Sequence, residues 1–156
     1  MPELRVRPMT PEEFADWQDT ALEEYASDVA AARGISLADA RGIAAESHQR
    51  FLPDGVATAG VHIVVGEDPR GVRVGVLWVG PNPDGVGPAW VYEIEVVEER
   101  RGEGWGRSLM AAAEELARED GHSEIGLNVF GSNAVARGLY ESLGYAATSI
   151  QMRKPL

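Results

Sequence analysis

The chain has 156 residues, of which 44% are hydrophobic and 25% charged, with a formal net charge of -11 and no cysteine. This size and composition predict one globular domain over residues 1–156, and the acidic balance argues against nucleic acid as a partner. The lack of cysteine excludes disulfides, thiolate metal sites and a thiol nucleophile, and no apolar run approaches the roughly 20 residues of a membrane helix, so we expect a cytoplasmic protein without a membrane partner.

The first third of the chain predicts one strand followed by two helices. Residues 4–9 alternate as a short opening strand does, and residues 10–13 combine a Thr N-cap, Pro at the first helical position and a capping box. Gly34 is a C-cap candidate, and residues 36–39 begin a second helix that ends at 53–55. The two predicted apolar faces are Phe14, Trp17, Ala21, Tyr25 and Val29, and then Ala40, Ile43, Ala44, Ser47 and Phe51.

The middle of the chain predicts three strands. Residues 61–66 and 72–80 form a hairpin around the turn 67–71, and a Pro- and Gly-rich loop at 81–88 separates it from a strand at 89–96. Apolar residues lie on both faces of the strand at 72–80, which predicts helices on both sides of the sheet: Val74, Val76 and Trp78 on one face, Leu77 and Val79 on the other.

A glycine-rich loop at 100–107 joins the strand 89–96 to a helix. Glycines at 102, 104 and 106 let the backbone turn tightly, and free N–H groups at a helix start, with the dipole behind them, favour an anion such as phosphate. Arg100, Arg101 and Arg107 add positive charge. A dinucleotide fingerprint would need glycine at 107, and the Gly-Lys-Ser/Thr of a P-loop is absent, so neither of those sites is indicated.

The remaining residues complete an α/β chain with a mixed sheet. The helix after the loop stops at Gly121, a strand follows at 124–129, Asn133 caps a helix that ends at Gly144, and 147–153 predicts a last strand. The predicted order is therefore β-α-α-β-β-β-α-β-α-β.

Two motifs resemble those of the GCN5-related N-acetyltransferase (GNAT) superfamily. Residues 101–106, Arg-Gly-Glu-Gly-Trp-Gly, resemble its Arg-x-x-Gly-x-Gly/Ala signature, and residues 133–145 are similar to its Asn-x-x-Ala-x-x-Leu-Tyr-x-x-x-Gly-Phe/Tyr motif. Gly138 departs from the small apolar residue usual before the Leu-Tyr pair. The resemblance implies the GNAT acyl-CoA N-acyltransferase fold. It also implies an acetyl-CoA-dependent enzyme that moves an acetyl group to a primary amine by direct transfer in a ternary complex.

The resemblance also implies where acetyl-CoA binds. Val96, with Val97 or Glu98, is expected to contact the pantetheine arm through the main chain, and Asn133 to contact the same arm or a bridging water. The expected pyrophosphate loop is Arg101, Gly102, Glu103, Gly104, Trp105, Gly106, Arg107 and Ser108.

Acetyl transfer to an amine needs a base, because a lysine-type amine has a pKa of about 10.4. Glu93 and Glu95 alternate with apolar residues and so share one face of their strand, where neighbouring like charges could raise one pKa. Glu93 is the preferred base, since acids near this point serve that role in some relatives. Tyr140 matches the family tyrosine that protonates the leaving thiolate. Asn128 stands where some relatives place a catalytic Glu, and it can hydrogen-bond but cannot act as a base.

Other interpretations stay open at this point. The carboxylates could be solvated residues of a sheet face and Tyr140 a core residue, and the chain could be a CoA-binding sensor without catalysis or use another acyl-CoA. The negative charge favours a cationic amine, or only keeps the protein in solution. No metal is expected from the histidines at 48, 62 and 122, and the chain could be a monomer or a homodimer. The acceptor rim could include Glu23, Glu24, Tyr25 and His48, unless these residues are only structural.

Overall fold

The computed structural model describes residues 1–156, which form a five-stranded sheet and four α-helices. In chain order the elements are β1 (Arg5–Pro8), α1 (Pro11–Arg33), α2 (Leu37–Phe51), β2 (His62–Glu67), β3 (Arg73–Gly80), β4 (Ala89–Val96), α3 (Trp105–Glu119), β5 (Ile125–Leu127) and α4 (Ala134–Ser142). Short 3₁₀ turns occur at Gly55–Ala57 and Glu98–Arg100. None of the helices combines the length and the apolar character that crossing a membrane requires.

The sheet is mixed, as predicted. Its strands lie in the order β1-β2-β3-β4-β5, with antiparallel pairing between the first four and parallel pairing between β4 and β5. Strand β3 is central and buried on both faces, because helices cover the sheet on both sides. Val76 and Trp78 belong to the cluster beneath α1, whereas Leu77 and Val79 belong to the cluster beneath α3. The predicted α/β class with a sheet between helices is confirmed.

Helix α1 starts where the sequence predicts. The Thr10 hydroxyl accepts from the Glu13 N–H at 3.2 Å, and the Glu13 carboxylate accepts from the Thr10 N–H at 3.0 Å. Arg7 on β1 donates to both Glu13 (2.7 and 2.8 Å) and Glu67 on β2 (2.7 Å). These bonds lower the pKa of Glu13 to about 2, chiefly through Arg7. The capping box therefore also fixes the direction in which α1 leaves the sheet.

We expect Thr10→Ala to lower the free energy of unfolding by about 1 kcal/mol, because the variant leaves the N–H of Glu13 without its acceptor. Chemical denaturation measures this loss. Thr20→Ala, an exposed change within the same helix, is the matched control and is expected to leave stability unchanged or slightly higher. Equal stability of the two variants would contradict a contribution from the capping box.

The predicted last strand at 147–153 is wrong. These residues have no regular structure, and no backbone–backbone hydrogen bond involves a residue after Tyr145. Ile150 and Met152, the apolar residues that suggested a strand, are 76% and 91% exposed. The segment instead ends near α1, where the Arg153 guanidinium donates to the carbonyls of Ala31 and Ala32 at 3.3 and 3.2 Å. Alternation in sequence does not show whether a strand edge lies within reach, and β5 ends after three residues.

Candidate active site

A cleft opens where β4 and β5 separate. Their parallel pairing covers only residues 89–91 of β4 and 125–127 of β5. On its other edge β4 has a bulge: Val79 pairs with Val91 and Trp78 with Glu93, so Tyr92 is left over in the register. A bulge bends and twists its strand locally. Because the pairing with β5 ends at Val91, the residues of β4 from Glu93 to Val96 pair with β3 alone.

The two acids of β4 share a face, as predicted. Glu93 lies opposite Trp78 and Glu95 opposite Val76, both residues of the α1 side. Ile94 and Val96 pack in the cluster beneath α3. The apolar pair thus anchors the strand while the carboxylates lie towards the α1 side.

The environment of Glu93 suits a general base. Burial raises the pKa of this carboxyl to about 8, and the negative charges of Glu95, Glu24 and Asp28 add to the rise. A hydrogen bond from the Ile94 amide acts in the opposite direction. A carboxylate with a pKa near 8 is a much stronger base than an ordinary glutamate, and it can still lose its proton close to neutral pH.

Glu95 is held in place by its neighbours. Its carboxylate accepts from the indole N–H of Trp17 at 3.2 Å, and Arg73 approaches within 4.0 Å. Trp17 is buried on α1, so this bond ties the cleft to the first helix. Glu95 is therefore better placed to supply a fixed charge beside Glu93 than to transfer a proton itself.

Tyr140 approaches the cleft from α4. Its ring is buried in the cluster beneath α3, tilted against Tyr145 with 6.0 Å between ring centroids. Burial raises the pKa of the Tyr140 phenol, and the charge of Glu93 raises it further. This coupling shows that the two side chains share one electrostatic environment although they come from opposite sides of the sheet. A raised pKa also keeps the phenol protonated, as an acid requires.

The other side chain proposed for catalysis is less enclosed. Asn128 lies one residue beyond the end of β5, whereas the sequence placed it within the strand, and it is exposed. It lies at the opening of the cleft between β4 and β5, where the residue is exposed to solvent.

The glycine-rich loop presents five consecutive amides. The N–H groups of residues 102–106 donate to no backbone carbonyl, whereas those of Arg107 and Ser108 bond to the Gly104 carbonyl at 3.1 and 3.3 Å. Gly102 and Gly104 adopt φ of +79° and +92°, which favours glycine. Gly106 has another reason to be glycine: a Cβ there would come within 3.1 Å of Leu139 on α4. Free amides at the start of a 15-residue helix suit an anion.

Most side chains of the loop already have protein partners. Glu103 accepts from the Trp105 indole at 2.7 Å and from Arg100 at 2.9 Å. Arg107 donates to the Ser142 hydroxyl at 2.6 Å, and the Ser108 hydroxyl donates to the Pro2 carbonyl at 2.8 Å. A ligand in this loop would therefore be held by the main chain, with the side chains fixing its shape.

Of the main-chain groups assigned to the pantetheine arm, those of Val96 face the cleft. The N–H of Val97 donates to Val74 on β3 at 3.0 Å and is not free. By the alternation of the ladder, the N–H and C=O of Val96 point away from β3. Its carbonyl accepts from Arg101 at 3.2 Å, and the Glu98 carbonyl accepts from the Arg101 amide. Asn133 caps α4 by accepting from the Ala136 N–H at 3.1 Å.

The structure separates the residues proposed for the acceptor rim. His48 is 7% exposed between the rings of Trp17 and Trp78, so of the two alternatives for this residue the structural one holds. Glu23 is bound by Arg41 at 2.6 Å, and Tyr25 packs against the cluster between α1 and α2.

Glu24 is coupled to the charges of the cleft, since burial and Glu95 both raise its pKa. Sequence reasoning missed Asp28 and Trp17 as neighbours of this site. The four-residue spacing of Glu24 and Asp28 was a usable signal, because it puts both on one face of a helix.

Comparisons with known proteins bear on the family and the fold of the chain. The family described as the acetyltransferase (GNAT) family matches residues 31–145. The chain is similar to two uncharacterised N-acetyltransferases of Bacillus subtilis (strain 168). It is 29% identical to YycN over 98% of this chain and 99% of YycN, and 28% identical to YdgE over 95% of each.

The same relationship holds in three dimensions. The crystal structure of YycN aligns with a TM-score of 0.89 over 99% of both chains. A GCN5-related N-acetyltransferase from Ralstonia eutropha JMP134, 19% identical, shares the fold with a TM-score of 0.65 over 99% of both chains. The implied fold is thereby confirmed, and this N-acetyltransferase belongs to the acetyltransferase (GNAT) family.

Proposed function

We propose that this enzyme uses acetyl-CoA to acetylate a primary amine by direct transfer in a ternary complex, with all 156 residues acting as one domain. The observation that carries the proposal is the row of five free amides at 102–106, placed at the start of α3 beside the fork between β4 and β5. A diphosphate fits such a row, and the pantetheine arm attached to it would then lie along the edge of Val96 that faces away from β3.

The positions of the side chains support the following roles. Glu93 accepts a proton from the acceptor amine, directly or through water, so that the nitrogen lone pair can attack the thioester carbonyl carbon. The new C–N bond replaces the C–S bond, Tyr140 donates its proton to the departing sulfur, and the surplus proton on the acylated nitrogen passes through water to the Tyr140 phenolate. Binding both substrates in the cleft holds the reacting groups together, which is a large part of the rate enhancement in such a reaction.

We further propose that the acceptor is cationic before it loses its proton. Glu24, Asp28 and Glu95 all place negative charge near Glu93, in a chain whose net charge is -11. Such a field draws an ammonium group towards the cleft and disfavours an acidic acceptor. A small amine, a peptide Nα group or a lysine side chain would each meet this requirement.

The proposal is tested by incubating the enzyme with acetyl-CoA and a panel of amines while measuring the release of free thiol. We expect amine-dependent release that falls about 10²-fold or more in Tyr140→Phe, because this variant lacks the proton donor. Acetyl-CoA should still raise the melting temperature of the variant. The control is the same panel with succinyl-CoA. Release with succinyl-CoA alone would overturn the choice of acyl group, and no release with any acyl-CoA would overturn the proposed reaction.

A further inference from the structure

The turn between β2 and β3 contains a carboxylate that is almost completely buried. Asp68 is 3% exposed, although it lies in a surface turn. Its Oδ1 accepts from the N–H groups of Arg70 and Val72 at 2.9 and 3.0 Å, which closes the turn. Its Oδ2 accepts from two guanidinium groups, Arg70 at 3.1 Å and Arg100 at 3.3 Å. Oδ1 therefore stabilises the turn, and Oδ2 accepts from the two arginine side chains.

The two arginines on Asp68 differ in where they lead. The Arg70 side chain is 78% exposed and belongs to the same turn. The Arg100 side chain is only 20% exposed and comes from the 3₁₀ turn that precedes the glycine-rich loop. A contact with Arg100 therefore joins two segments that are 32 residues apart in the chain.

Arg100 also contacts the loop itself. Its Nε donates to Glu103 at 2.9 Å, and its guanidinium carbon lies 5.1 Å from the centre of the Trp105 ring. Trp105 donates its indole N–H to the same Glu103 oxygen at 2.7 Å. Glu103 and Trp105 are two of the five residues whose amides are free, so the Arg100 side chain restrains the loop through their side chains.

We propose that Asp68 is a positioning residue for the glycine-rich loop and acts through Arg100. This inference rests on the proposed function, because the contact between Asp68 and Arg100 is taken to hold residues 102–106 in the shape that binds a diphosphate. Asp68 lies in one segment and binds the Arg100 guanidinium of another, so the contact restricts both segments. A loop that is ordered in advance loses less entropy when a ligand binds. The hairpin turn thereby sets the affinity of a site to which it contributes no contact.

The test compares Asp68→Asn with Arg70→Ala. Asparagine keeps an oxygen for the two turn amides but removes the charge that holds Arg100, whereas Arg70→Ala removes the exposed guanidinium and leaves the link to the loop intact. By calorimetry with CoA, we expect Asp68→Asn to raise Kd roughly 10-fold and Arg70→Ala to leave Kd within about twofold. The KM for acetyl-CoA should follow Kd, with kcat within about twofold of wild type.

A second readout does not depend on CoA. The amides of Arg101, Arg107 and Ser108 flank residues 102–106 and are hydrogen-bonded, so their hydrogen exchange reports the order of the loop in the free protein. We expect faster exchange at these amides in Asp68→Asn and in Arg100→Gln, but not in Arg70→Ala. Unchanged exchange and unchanged Kd in Asp68→Asn would overturn the inference, as would equal losses in Asp68→Asn and Arg70→Ala. A wild-type protein that binds no CoA species would instead overturn the proposed function.

Discussion

Glu93→Gln is expected to lower kcat by about 10²- to 10⁴-fold, while the Kd for acetyl-CoA stays within about twofold of wild type. Glutamine has a similar size but cannot accept the proton of the amine. The free amides of the loop, which we propose as the binding site of the diphosphate, are untouched. Steady-state kinetics with a saturating amine, together with calorimetry, measure the two effects separately. A kcat within tenfold of wild type would show that Glu93 is not the base.

The pH dependence gives this prediction a sign. Glu93 acts as a base only when ionised, and its pKa is about 8, so kcat/KM of the wild type should rise as the pH passes through this value. Glu95→Gln removes one of the charges that raise this pKa, so the midpoint should move to lower pH. A midpoint that does not move would show that Glu95 has no electrostatic role at Glu93.

The pH dependence of stability shows whether the Glu93→Gln variant is correctly folded. The raised pKa means that the folded state holds this proton more tightly than the unfolded state, in which the value is near 4.5. Wild-type stability should therefore fall as the pH rises from about 5 to above 8, and the variant should not share this loss. We expect similar melting temperatures below pH 5 and a more stable variant at pH 9. A variant less stable at pH 9 would indicate a disrupted cleft.

Gly104→Ala is expected to weaken CoA binding by about 10- to 100-fold. Gly104 is the N-cap of α3 with φ of +92°, a conformation that costs roughly 1–2 kcal/mol for a residue with a Cβ. The new Cβ would also lie 3.1 Å from Pro2. Relief of either strain shifts the backbone of the loop and so displaces the neighbouring free amides. Calorimetry with CoA measures the loss of affinity.

Gly121→Ala is the matched control for this substitution. Gly121 has φ of +86° and follows the other end of α3, with no heavy atom within 4 Å of an added Cβ. Its backbone strain is of the same kind, but it lies far from the loop in sequence. We expect a comparable loss of stability and an unchanged Kd for CoA. Equal weakening by both variants would assign the effect to general destabilisation of α3.

The features that the sequence predicts well are those set by local spacing. The alternation of Glu93 with Ile94 determines which face each side chain takes, and the glycines at 102 and 104 mark the sharp turn into α3. The capping box at Thr10 likewise depends on residues three apart. These patterns hold whatever the rest of the chain does.

The features that the sequence does not predict depend on distant partners. Nothing near Trp17 indicates that its indole meets Glu95, 78 residues away, and the same is true of Asp68 and Arg100. The error at 147–153 is of the same kind, because a strand exists only where a neighbour pairs with it. His48 differs from these cases: it lies four residues after Ala44 and eight after Ala40, the other buried residues of α2, so its place in the core follows from helical spacing.

The short pairing of β4 with β5 has a consequence for the shape of what can enter. Beyond three residue pairs, β4 has an edge without a strand partner, next to the cluster that α3 and α4 share. A ligand that pairs with this edge of β4 must be thin and unbranched and must offer polar groups at intervals, as an extended chain does. Such pairing depends on main-chain groups alone, so it constrains the shape of a ligand independently of the side chains that recognise it.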